Sequence, residues 1–138
     1  MTAPRPNMTG SPGYAQTMPC EPDSSGRARH LVDTALNTWS LGHLIEDAVL
    51  VTGELVSNAV RHSGSSVIVV TVSLPTPERV RVSVSDSSID PPALRVTGRE
   101  EESGRGLILV HEVADCWGSE FQHAGKVVWA ELLIGECA

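Results

Sequence analysis

From Ala28 onward the apolar positions of the chain recur at helical spacing: Ala28, Leu31, Val32, Ala35 and Leu36 share one face. The spacing predicts a first helix from about Arg27 to Trp39–Gly42, with Ser24 or Ser25 available as its N-cap. A longer helix is expected from His43 to His62, where Leu44, Ile45, Ala48, Val49, Thr52, Leu55, Val56, Ala59 and Val60 gather on one broad face, and Ser63 and Gly64 stop it. The period then changes to two. Val67 to Val72 is a β-branched run, and between Arg79 and Asp86 the residues Val80, Val82 and Val84 alternate with Arg81, Ser83 and Ser85. With Pro75 and Pro77 between them, these runs read as adjacent strands of a hairpin. A third helix from Gly106 to Ala114 and two strands over 117–122 and 127–134, turned by His123 to Lys126, complete the pattern.

The order helix, helix, strand, strand, helix, strand, strand predicts an α+β fold. It is a two-layer α/β sandwich in which a mixed, mostly antiparallel four-stranded sheet carries three helices on one face. Residues 1–26 carry Pro4, Pro6, Pro12, Pro19 and Pro22 with no apolar periodicity and read as a disordered tail, leaving 27–138 as one domain. Residues 87–104, rich in Ser, Pro, Gly and Glu, form a connection long enough to need a reason, and read as a mobile lid. No internal repeat is found.

Composition narrows the picture. Of 138 residues 41% are hydrophobic but only 4% are aromatic, so the core should be aliphatic and sheet-rich. The formal net charge of −7 argues against direct nucleic-acid binding, which relies on Lys and Arg neutralising phosphates. No stretch approaches the ~20 apolar residues of a membrane span and no signal-peptide pattern opens the chain, so the expectation is a cytoplasmic protein without a membrane role. Cys20, Cys116 and Cys137 are widely spaced, form no CxxC pair, and read as reduced thiols.

Three places could carry chemistry. Glu54, Asn58 and His62 follow one another at i, i+4 on the long helix, with Arg61 beside them, so a carboxylate and a carboxamide line one side of the cylinder. Such a pair can offer oxygens to a hard divalent cation or hold a water; it also suits an ordinary solvated face, and His62 suits the negative end of the helix dipole. Asp86 continues the parity of Val80, Val82 and Val84, which aims a carboxylate towards the apolar side, where an adenine amine would be a suitable donor. Alternatively Asp86 simply opens a turn. Gly104-Arg105-Gly106-Leu107 runs straight into the apolar Ile108, Leu109 and Val110, a loop-to-helix joint that fits a phosphate site as well as a plain helix cap.

Taken in order, ELVSNAVRHS (54–63), VSVSDSSIDPP (82–92), ESGRGLILVHEVADCWG (102–118) and GKVVWAEL (125–132) resemble the GHKL superfamily of ATPases, in its anti-sigma-factor serine/threonine-kinase branch. The resemblance spans about 27–134. It implies the histidine kinase-like ATPase fold, ATP and Mg2+ as ligands, Glu54 as general base and Asn58 as the magnesium ligand. It further implies that His62 flanks the phosphates, Asp86 binds the adenine amino group, and Gly104, Arg105, Gly106 and Leu107 form the glycine box under the lid. Lys126 to Trp129 is similar to the family's final strand. The family's usual glycine two residues after the aspartate is Ser88 here, which narrows the adenine pocket or requires a different backbone, and Asp90-Pro91-Pro92 stiffens the approach to the lid.

The function implied is transfer of phosphate from Mg-ATP to a serine of an anti-anti-sigma-like partner, with a sigma factor as a second protein to sequester and homodimerisation common among relatives. The alternatives are a binding module that uses ATP structurally or has lost it, favoured by Ser88, and a histidine-kinase catalytic domain, which shares the nucleotide site.

Overall fold

The computed structural model describes residues 5–6, 12–87, 108–122 and 125–135. Its elements are β1 (Arg5–Pro6), β2 (Gly13–Pro19), α1 (Ser24–Thr38), a 3-10 turn (Gly42–Leu44), α2 (Ile45–His62), β3 (Val67–Thr76), β4 (Arg79–Asp86), β5 (Cys116–Gln122) and β6 (Gly125–Leu133). A third helix, α3, is described over residues 108–113. The strands form one sheet in the order β1-β2-β3-β4-β6-β5, with every neighbouring pair antiparallel. This is the two-layer α+β sandwich that the sequence pattern implies. Among the described residues the sheet has six strands rather than four, because β1 and β2 extend it beyond β3, and it contains no parallel pair, so it is antiparallel rather than mixed.

The pairing register sorts the side chains between the faces. Met18 opposes Ile68, Val70 opposes Val84, Val72 opposes Val82, and Val82 opposes Ala130, so all of these point to the helix layer. They pack with Ala28, Leu31, Val32, Ala35 and Leu36 of α1, Val51, Leu55, Val56 and Ala59 of α2, and Val110 of α3 in one aliphatic core. Ser40 at φ 60° lets the Leu41 N–H reach the Leu36 carbonyl at 2.7 Å, which ends α1, and Gly64 at φ 71° follows the last residues of α2.

Residues 13–26 overturn part of the expected disordered tail. Met18 is only 2% exposed and sits over Ile68, and α1 already begins at Ser24. A strand added beside β3 is held by ladder bonds and one anchoring side chain, so it needs no apolar run; Pro19 closes it where a missing N–H is tolerated. Residues 1–4 and 7–11 of that tail lie outside the described residues. Met18→Ala is expected to lower the unfolding free energy by about 2–5 kcal/mol in urea titration. A loss below about 0.5 kcal/mol, the size typical of surface sites, would return the segment to a tail.

Smaller corrections follow from local hydrogen bonding. Ser24 and Ser25 lie inside α1 rather than at its N-cap, which is Asp23. The Ser24 hydroxyl instead donates to the Pro19 carbonyl at 2.6 Å and ties the helix to β2. Lys126, expected in a turn, is within β6.

On the opposite face of the sheet, Glu131 accepts from Arg81 Nε at 2.7 Å and from Arg79 Nη1 at 3.2 Å, and Arg79 also pairs with Asp115 at 2.7 Å. The Asp115 hydrogen bond holds the Arg79 guanidinium in its charged form. Arg81 lies 4.6 Å over the Trp129 ring. Cys116 sits in this network with its thiol pushed up, first by desolvation and then by the Glu131 charge, which leaves it less reactive than an ordinary cysteine.

Candidate functional site

Glu54, Asn58 and His62 fall on one side of α2 because helical residues four apart stack along the cylinder, while Leu55, Val56 and Ala59 are turned into the core. Glu54 and His62 are half-buried, but Asn58 is only 4% exposed. Among the described residues its Oδ1 accepts no hydrogen bond. Leaving a buried carbonyl-type oxygen unbonded costs about 1–3 kcal/mol. An acceptor kept at that cost fits a ligand-binding role better than a solvated helix face.

Asp86 ends β4 on the same face as Val80, Val82 and Val84. Its side chain is 1% exposed, so it is a buried carboxylate rather than the opening of a surface turn. Opposite it in the ladder stands Lys126, whose side chain is also 1% exposed and whose Nζ lies 3.8 Å from Asp86 Oδ2. That ammonium makes no hydrogen bond among the described residues. The strands are unusually close here: a Cβ on Gly125 would run into the Asp86 carbonyl oxygen and stand 2.6 Å from Ser87 Cα.

The topology gathers these groups at one end of the sandwich. The last turn of α2 leads directly to the start of β3, and Val69 near that start opposes Ser85 near the end of β4. The end of β4 faces the start of β6, through Asp86 and Lys126. The joint is tied by the Ser87 N–H, which donates to Ser65 Oγ at 2.7 Å, and by the Cys20 thiol, which donates to the Ala59 carbonyl at 3.7 Å. The polar line of α2 therefore runs towards the end at which Asp86 and Lys126 lie. Ser88, Gly104, Arg105, Gly106 and Leu107, with the expected lid, fall outside the described residues.

The sequence model of the histidine kinase-like ATPase domain matches residues 18–132, most of the chain. The chain belongs to this family. The match begins inside β2, in agreement with a domain that starts before Arg27. No curated protein matches the chain. The histidine kinase-like ATPase domain is an ATP-binding fold, and the acceptor groups present suit such a ligand: a buried carboxylate for an exocyclic amine, and an amide oxygen on α2 for a hard cation or its water. Among the described residues no cluster of three His, Cys, Asp or Glu side chains could hold a metal. A divalent ion on Asn58 would therefore take most of its oxygens from phosphates and water, as Mg2+ usually does. No helix among the described residues is long and apolar enough to cross a membrane.

Lys126 is the residue that reading by elements undervalues. The signal for it is present, since Lys126, Val128, Ala130 and Leu132 share parity along β6. A lysine on an apolar strand face is out of place unless something there needs it.

Proposed function

We propose that this chain is a regulatory protein kinase of the anti-sigma type, which transfers phosphate from Mg-ATP to a serine or threonine of an anti-anti-sigma-like protein and also sequesters a sigma factor. The observation that carries this reading is the buried, unbonded Oδ1 of Asn58, on the helix face that runs towards the end where the Asp86 carboxylate lies. Mg-ATP, when bound, supplies the transferable phosphoryl group and the charge that offsets its oxygens. Asp86 accepts from the base amine and fixes the purine end. Asn58 Oδ1 would hold the cation, and His62 lies one turn further along, where it would flank the phosphates. By the family resemblance, Gly104, Arg105, Gly106 and Leu107 would contact the phosphates, and Ser88 would border the adenine. Glu54 takes the proton of the attacking hydroxyl as its oxygen bonds to phosphorus and ADP leaves.

The first test is a thermal unfolding series with Mg-ATP. At about 100 times its dissociation constant the ligand should stabilise the fold by about 2.7 kcal/mol. An unchanged transition at millimolar Mg-ATP would rule out the nucleotide reading. Ser88, where the family has glycine, favours a second reading in which nucleotide switches a docking module without transfer. A clear shift with no labelled phosphate on a co-purified partner would select it.

A further inference from the structure

Lys126 and Asp86 form a matched pair of opposite charges where the end of β4 faces the start of β6. Both side chains are 1% exposed and Nζ lies 3.8 Å from Oδ2, beyond hydrogen-bond length. A buried ammonium that makes no hydrogen bond among the described residues is costly to keep. Ladder register fixes it there: Lys126 is directly opposite Asp86, on the face shared with Val84 and Val128. The close approach at Gly125 holds the two backbones together at this step.

The Watson–Crick edge of adenine presents an amine donor next to a ring-nitrogen acceptor, N1. A carboxylate beside an ammonium is the complementary arrangement. We propose that Lys126 is a base-specificity residue that donates directly to adenine N1 while Asp86 accepts from the exocyclic amine, so that the purine is read by a charged pair spanning two strands. This rests on the nucleotide-binding reading above and adds a second, independent contact to it. The same pair is also complementary to the ring N–H and carbonyl of guanine, so GTP is an arm of the test.

The test is calorimetric binding to the full chain of Mg-ATP, Mg-GTP and the Mg complex of 1-deaza-ATP, in which a C–H replaces N1. A hydrogen bond from a charged donor is worth roughly tenfold or more in affinity. Wild-type protein should bind 1-deaza-ATP at least about tenfold more weakly than ATP, and GTP more weakly still. In Lys126→Met, ATP should weaken to the level of 1-deaza-ATP and the difference between the two should vanish, which a purely structural role for the lysine would not produce. The wild-type comparison needs no variant, so a poorly folded Lys126→Met leaves the proposal testable. Equal binding of ATP and 1-deaza-ATP by the wild type would overturn it, as would a tenfold difference that survives in Lys126→Met, or preferred GTP. If the wild type binds none of the three, the nucleotide reading itself fails and takes this proposal with it.

Discussion

Replacing Glu54 with Ala should cut phosphotransfer to the cognate partner by about 10²–10⁴-fold, the usual contribution of a positioned general base. Mg-ATP binding should persist, because Glu54 lies one turn before Asn58 on α2 and in the proposed arrangement contacts neither the cation nor the purine. The measurement is single-turnover transfer of labelled phosphate to the protein that co-purifies with the tagged chain, alongside a Mg-ATP melting curve for each variant. Glu54→Gln separates charge from shape: it keeps the side-chain volume, replaces the carboxylate with a neutral carboxamide, and should be as slow as Ala. Glu54 is half-buried and its removal should cost little stability, so a slow variant would not be an unfolded one. Wild-type transfer by both variants would make the Glu54 side an ordinary polar helix face and remove the base from the mechanism.

The parts of the fold that the sequence exposes are those whose period is strong. α2 shows its apolar stripe over eighteen residues, and β4 alternates cleanly because its other face carries Arg81, Ser83 and Ser85. β2 has no such signature. Of GYAQTMP only Gly13, Gln16 and Met18 are buried, and the surrounding prolines imitate a linker, so only its pairing with β3 reveals it. The site divides along the same line. The i, i+4 spacing of Glu54, Asn58 and His62 and the parity of Asp86 are local and legible. The Asp86–Lys126 pairing is a register between strands some forty residues apart in sequence, which no local pattern specifies.

Two of the buried polar groups, on Asn58 and Lys126, belong together physically. Asn58 Oδ1 lacks a donor, and Lys126 Nζ lacks an acceptor at hydrogen-bond distance, among the described residues. Each is a cost to the free protein that a ligand with the right complement would remove, and linkage makes relief of that cost part of the binding free energy. The aliphatic core and the Arg79–Arg81–Glu131 network on the far face hold the sheet in register independently of the site. Stability and ligand recognition are therefore separable by mutation at most positions, with the strand contact at Gly125 as the exception.

Gly125→Val should be the most damaging single substitution in the sheet. The three atoms nearest to an ideal Cβ at this position are all main chain: the Asp86 carbonyl oxygen, Ser87 Cα at 2.6 Å and Asp86 C at 2.8 Å. No rotamer change relieves such a contact, so β4 and β6 must separate where Asp86 opposes Lys126. Overpacking against side chains costs about 1–3 kcal/mol, and a clash with fixed backbone should exceed about 3 kcal/mol. Urea unfolding should show that loss, with the Mg-ATP shift abolished in whatever folded fraction remains. Gly26→Ala is the control, because nothing lies within 4 Å of its Cβ position and it sits in α1, where Ala should stabilise by about 0.5–1 kcal/mol. A Gly125→Val midpoint close to that of the parent would mean that the strands do not approach as described, and the alignment of Asp86 with Lys126 would fall with it.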